Sequence, residues 1–381
     1  MRLRSIRVVV VGTLGLAAVA VATQPVSDRA AGAAERAAHW LARVQGQDGG
    51  WGQDGGETSF ARTGERLETQ ANDVANTAVA TLALLRVSQA PARGQLSPAV
   101  RRGVEFISRH IEASPEDGLA VTPMTGTQIQ RKLGPYIDTF LSSMLLSELD
   151  GNMGDAASNR RVRAALEKCV RKIQKHQQAD GSWNHSGGWA PILGTSMASR
   201  SLDAARQKGV RVEASALARV DEYTKSSAKA GGVAGGVPGG VRGGIVAAVP
   251  AAAGVPLYQS AQQLEQLSRT ADDREKNAKE IRAIAGQLSR PEFVRGFGSM
   301  GGEEFFSYLN ISDSMRRSGG TEWTRWNGQI KTNLVELQNQ DGTWAGHHCI
   351  TGRVAVTSAA VLTLLADREP AVIPTAARGR K

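Results

Sequence analysis
One seven-residue pattern occurs three times in this chain of 381 residues: Gln45-Gly-Gln-Asp48-Gly49-Gly50-Trp51, Gln177-Gln-Ala-Asp180-Gly181-Ser182-Trp183 and Gln338-Asn-Gln-Asp341-Gly342-Thr343-Trp344. Gln, Asp, Gly and Trp keep the same spacing in every copy, which makes an internal repeat the strongest constraint on the fold. A helical pattern leads into each copy, as Val162, Leu166, Cys169, Val170 and Ile173 show with their three- and four-residue steps. Asp-Gly then breaks the helix, because glycine tolerates the backbone of a tight turn and aspartate bonds the turn's own amides. A second helix follows in a common register: Thr77-Ala-Val-Ala-Thr-Leu82-Ala-Leu84, Thr195-Ser-Met-Ala-Ser-Arg-Ser-Leu202 and Thr357-Ser-Ala-Ala-Val-Leu362-Thr-Leu364. The repeating unit is a helical hairpin.

Two degenerate copies fill the gaps. Val104, Phe106 and Ile107 lead through Glu116-Asp117-Gly118 to a second helix from Thr139 to Leu146, without the Trp of the turn; another hairpin ends in Phe305-Phe306-Ser-Tyr308-Leu309. About five hairpins are expected. This pattern resembles the QW motif of the prenyltransferase and squalene-oxidase repeat superfamily, over roughly residues 30 to 368. The resemblance implies an all-α fold, an α/α toroid in which outer helices carry the Gln and Asp at their ends and inner helices surround a central cavity, often apolar. It also makes Gln45, Asp48, Trp51, Gln177, Asp180, Trp183, Gln338, Asp341 and Trp344 structural clamps between hairpins rather than ligand contacts. The closing stretch from Asp341 to Arg353 resembles an uncharacterised branch of exported bacterial repeat proteins.

Residues 1–22 read as a signal peptide: Arg2, Arg4 and Arg7 precede an apolar run from Val8 to Ala22 with small residues at Ala18, Ala20 and Ala22. Fifteen residues rise only about 22 Å as a helix, short of a bilayer core, so export to the periplasm or cell surface is preferred over an uncleaved anchor. The toroid is assigned to 23–368 and a disordered tail to 369–381. The formal charge of +10 shrinks once Arg2, Arg4, Arg7, Arg378, Arg380 and Lys381 are set aside at the two ends, leaving 40 basic against 36 acidic residues and a body of +4. A nucleic-acid-binding face is not indicated. Cys169 and Cys349 either pair in an oxidising compartment or remain free.

An insertion over 226–290 precedes the last two inner helices. Eight glycines in paired steps over 231–244 read as a flexible loop, since no Lys-Ser/Thr follows as in a P-loop. From 257 to 289, a stripe at Leu264, Ala271, Ala278 and Ala285, joined by Leu267, Ile281 and Leu288 and interrupted by Arg274, suits either a solvated hairpin or a helical arm for a protein partner.

The relatives' chemistries leave checkable signatures. Triterpene cyclisation uses Asp-x-Asp-Asp-Thr-Ala, whose middle Asp gives the proton; here Asp73-Val74-Ala75-Asn76-Thr77-Ala78 puts an alanine there, and alanine is no acid. Asp73 and Asn76 then read as capping and first-turn residues. Zinc-dependent prenylation needs spaced Asp, Cys and His ligands; adjacent His347, His348 and Cys349 diverge and are weak metal candidates, so no metal and no cofactor is assigned. A thioester needs Gly-Cys-Gly-Glu-Gln, where this chain has Met300-Gly301-Gly302-Glu303-Glu304-Phe305. Polysaccharide hydrolysis wants two carboxylates roughly 5 to 9.5 Å apart, for which Asp138, Glu303 and Glu304 at inner-helix starts are candidates, against their plain role as first-turn acids.

The reading is an exported repeat protein without its relatives' catalytic residues, a binding or scaffold module with room for an apolar ligand. The alternative is an enzyme acting on an isoprenoid or polysaccharide at the toroid mouth. The candidate mouth site gathers Asp73, Asp138, Glu303, Glu304, His347, His348 and Arg353, because the inner-helix N-termini carry positive potential toward one end.

Overall fold
A computed structural model describes residues 25–53, 71–88, 97–183, 191–230, 254–290, 301–346 and 350–368. These residues are all-helical apart from one bridge between Trp51 and Asp73. The signal-peptide segment, the glycine-rich run, the tail and the His347-His348-Cys349 cluster lie outside them. Among the described residues no helix is long and apolar enough to cross a membrane.

The helices are α1 (Val26–Arg43), α2 (Val74–Ser88), α3 (Pro98–Ala113), short α4 (Gln128–Leu133), α5 (Ile137–Leu149), α6 (Ala156–Lys175) and α7 (Pro191–Gln207). After them come α8 (Ala214–Ala230), α9 (Gly254–Leu267), short α10 (Ala271–Lys276), α11 (Ala278–Leu288), α12 (Gly302–Ser318), α13 (Gly320–Leu337) and α14 (Arg353–Leu364). Helices α2, α5, α7, α9, α12 and α14 each pack on the next, and α14 returns to α2, so they form a closed inner ring. Helices α1, α3, α6, α8, α11 and α13 back them. The architecture is the α/α toroid.

The expected count of five hairpins and the inserted arm both need correction. Helix α9 sits in the inner ring between α7 and α12, and α11 packs on α9, α12 and α13, so the segment supplies a sixth hairpin instead of projecting. The seven-residue stripe misled because it is only half buried. Leu264, Ala285 and Leu288 are buried while Ala271 is exposed. Helix α9 instead buries Ser260, Gln262, Glu265 and Ser268, polar residues that a search for apolar periodicity passes over.

The repeat turns act as the sequence suggests, with one component added. Each Gln amide bonds twice, once within its turn and once to the next outer helix: Gln45 Nε2 to Gly49 O and Ala99 O, Gln177 Nε2 to Gly181 O and Ala216 O, Gln338 Nε2 to Gly342 O and Ala33 O, at 2.8 to 2.9 Å. The Gln oxygen accepts from an arginine on that same outer helix, Arg102, Arg219 (2.9 Å) and Arg36 (3.2 Å) respectively. Each Asp caps its turn by accepting the amide two residues on. Each indole is buried and donates to a carbonyl ten residues back on its own outer helix, at Leu41, Ile173 and Leu334. At Gly181, φ is +90° and an added Cβ would stand 2.1 Å from the Arg219 carbonyl, so only glycine fits. The third turn clamps α13 onto α1 and thereby closes the ring.

The degenerate second turn, which lacks Trp, is held differently. Lys172 of α6 is buried and donates to the carbonyls of Pro115, Gly118 and Ala120, and Lys168 to those of Glu112 and Ser114. Lys172 thus serves the Gly118 carbonyl, the counterpart of the Gly49, Gly181 and Gly342 carbonyls that the glutamine amide serves at the other turns. Cys169, one residue from Lys168, is a buried free thiol, while Cys349, its candidate partner, lies outside the described residues.

Candidate functional site
The N-terminal ends of the inner helices meet at one mouth, and Asp73 and Asp138 are brought together there. Asp73 precedes α2 and caps it, accepting from the Asn76 amide (2.8 Å) and from Asn76 Nδ2 (2.8 Å). Asp138, in the first turn of α5, reaches across to the neighbouring helix: its Oδ1 accepts the Ala75 amide (3.0 Å) and its Oδ2 accepts Gln130 Nε2 (2.7 Å). Gln130 is itself fixed, since Thr127 and Gln130 form the capping box of α4. Both carboxylates are almost wholly buried. Burial, reinforced by the Asp138 charge, pushes the Asp73 carboxyl up to about 7, and burial pushes Asp138 up to about 6 against its hydrogen bonds. The carboxylate nearest the Ala75 backbone thus comes from another helix.

The other mouth candidates are not part of this pair. Glu304 is buried and Glu303 half-buried at the start of α12, which the ring separates from α2 by α14. Arg353 is drawn to a repeat turn, with its Nη1 3.1 Å from Asp341 Oδ2 and its guanidinium over the Trp40 ring at 5.1 Å. These two contacts tie it to the α13–α14–α1 closure. His347 and His348 lie outside the described residues, and among those residues no group of three His, Cys, Asp or Glu side chains could hold a metal ion.

The mouth is bridged by the chain itself. Gln128, on α4, donates to Thr351 Oγ1 (2.9 Å) and accepts the amides of Thr351 (2.9 Å) and Gly352 (3.2 Å), which tie the segment before α14 to the segment before α5 over the start of α2. Gly302 and Gly346 let this closing segment lie flat, since an added Cβ would meet Ile350 O at 1.8 and 2.1 Å. Behind the bridge the inner helices are buried on every face: each residue of α2 from Val74 to Leu85, and of α14 from Val354 to Leu364, is buried.

Deeper in the ring lies a charged network that the sequence reading did not find. Arg200 of α7 donates to Asn310 Oδ1 and Asp313 Oδ2 of α12, and Arg317 of α12 donates to Asp203 Oδ2 of α7 (3.3 Å). Because α9 stands between α7 and α12 in the ring, these bonds join helices that are not ring neighbours. Glu265 of α9 accepts from Ser196 (3.3 Å) and faces Arg269, while Arg86 pairs with Glu148 where α2 and α5 end. Burial lowers Arg200 to about 10, with Glu265 opposing, and burial raises Glu265. The signal was present in Ser199-Arg200-Ser201-Leu202-Asp203, an arginine and an aspartate inside a helix that the repeat register places in the inner ring.

Residues 9–130, about a third of the chain, match the family model of the squalene-hopene cyclase C-terminal domain. Over this stretch the chain carries the repeat of the prenyltransferase/squalene-oxidase superfamily, to which that domain belongs. No curated protein matches the chain.

Proposed function
We propose that this cyclase-like toroid is an exported, non-catalytic binding or scaffold module of the cell envelope. The observation that carries the reading is on the inner ring, where Arg200 bonds Asn310 and Asp313 and Arg317 bonds Asp203, putting paired charges where an apolar substrate would need an apolar lining. Buried charges paired in this way cost several kcal/mol to separate, so the network does not yield to a hydrocarbon. The bridge from Gln128 to Thr351 and the alanine at position 75 support the same reading. Export rests on the apolar run from Val8 to Ala22 after three arginines.

One observation favours an enzyme: Asp73 and Asp138 are buried acids whose raised pKa values would suit a proton donor near neutral pH. Yet all four of their oxygens already accept hydrogen bonds from Asn76, Ala75 and Gln130, as helix caps do. Native mass spectrometry of the protein purified from its own envelope tests the proposal. A retained protein partner, with no isoprenoid bound, is the expected result; one isoprenoid or glycan per chain, released by Asp138→Asn, would replace it with the enzyme reading.

A further inference from the structure
A cavity of about 400 Å³ lies between the turn joining α12 to α13 and the helices α10 and α11, far from the mouth because its α12 wall is that helix's C-terminal end. Its volume falls in the range of small-molecule sites. Ile281, Ala285, Met315 and the half-buried Trp323 provide apolar surface, and Trp323 offers a flat face for an aromatic or acyl group. Two guanidinium groups stand at the same cavity. Arg274 is held in place by donating to Ser268 O (3.1 Å), and Arg282 is exposed. Among the described lining residues these two arginines face one acid, Glu322, so the cavity carries an excess of positive charge.

We infer that this cavity binds a small amphipathic anion, an aromatic or short acyl carboxylate, with its apolar part on Trp323 and Met315 and its carboxylate toward Arg274 and Arg282. The chemistry follows from the lining: an apolar wall alone would take a neutral hydrocarbon, and arginines alone a bare anion, whereas both on one cavity favour a ligand with both ends. The site stands apart from the lumen and does not depend on whether the mouth is catalytic.

The test uses the full mature chain and 2-naphthoate as the probe, with 2-naphthamide as its uncharged counterpart, titrated by calorimetry. Binding of one naphthoate per chain is expected, at least about tenfold tighter than the amide, as one charge-assisted contact would give. Arg282→Gln, at an exposed position, should weaken naphthoate about tenfold while leaving naphthamide and the melting temperature unchanged. Trp323→Leu should weaken both compounds. Equal affinity for the two compounds, no binding of naphthoate at millimolar concentration, or unchanged naphthoate affinity in Arg282→Gln would each overturn the inference, and the Arg282 comparison decides it even if Trp323→Leu does not fold.

Discussion

One glutamine side chain holds three groups at each repeat turn: its own turn's carbonyl, a carbonyl of the next outer helix, and an arginine of that helix. The indole beside it fills the gap beneath. Trp183→Ala or Trp344→Ala should therefore cost about 3 to 5 kcal/mol, as for other buried aromatics, in denaturant melts; losses under about 1 kcal/mol in both would mean the turns are not clamps. The Gln, Asp and Trp were legible because they recur at fixed spacing. The arginines were not, although Ala33/Arg36, Ala99/Arg102 and Ala216/Arg219 share an Ala-x-x-Arg step, since a lone arginine near a helix start usually faces water. The acid pair makes a second expectation. Asp73 and Asp138 titrate higher in the folded chain than in the unfolded one, so the folded state binds more protons, and their contribution to stability is present below about pH 4 and lost as pH rises through about 6 to 7. Asp73→Asn should remove much of that loss. Its new amide can donate to Asn76 Oδ1, which is buried without a partner, once the Asn76 amide turns over. Melts from pH 5 to 8 should show wild type losing stability relative to Asp73→Asn; a constant difference would refute the titration.

Among the helices, α6 and α9 diverge most from the repeat pattern, and each does so through polar burial. Helix α6 supplies Lys172 to the Gly118 carbonyl, whose counterparts at the other turns take the glutamine amide, so Lys172→Met should cost about 2 to 3 kcal/mol by leaving its carbonyl partners unpaired. A loss no larger than that of an exposed lysine would show the second turn to be held by packing alone. Helix α9 carries Gln262 and Glu265 to the interior, where they meet a network rather than an apolar core. That is why hydrophobic spacing alone suggested an arm: the ring at this point is completed by charge. Hydrogen exchange separates the two descriptions. An inner-ring α9 should be protected to a degree similar to α5 and α14, while a projecting arm would exchange as fast as an exposed surface helix.

At the scale of the whole molecule, the third turn joins the last outer helix to the first through Gln338, Ala33 and Arg36, residues some 300 positions apart. Ring closure was legible from the repeat and its hairpin register, but the content of the ring was not, because the pairing of Arg200 with Asn310 and Asp313 depends on which non-neighbouring helices of the ring meet. The same limit applied to the mouth. Sequence offered Asp73, Asp138 and Arg353 as candidates there, but could not show that Asp138 reaches the Ala75 amide or that Arg353 lies over Trp40 and beside Asp341. The central claim is that buried, paired charges between α7 and α12 stand on the inner ring, where a cyclase of this fold would need an apolar chamber. It is tested most directly by incubating the purified protein with squalene and analysing the extracted products: the account expects no cyclised product above a boiled control, and cyclised product that disappears in Asp138→Asn would contradict it.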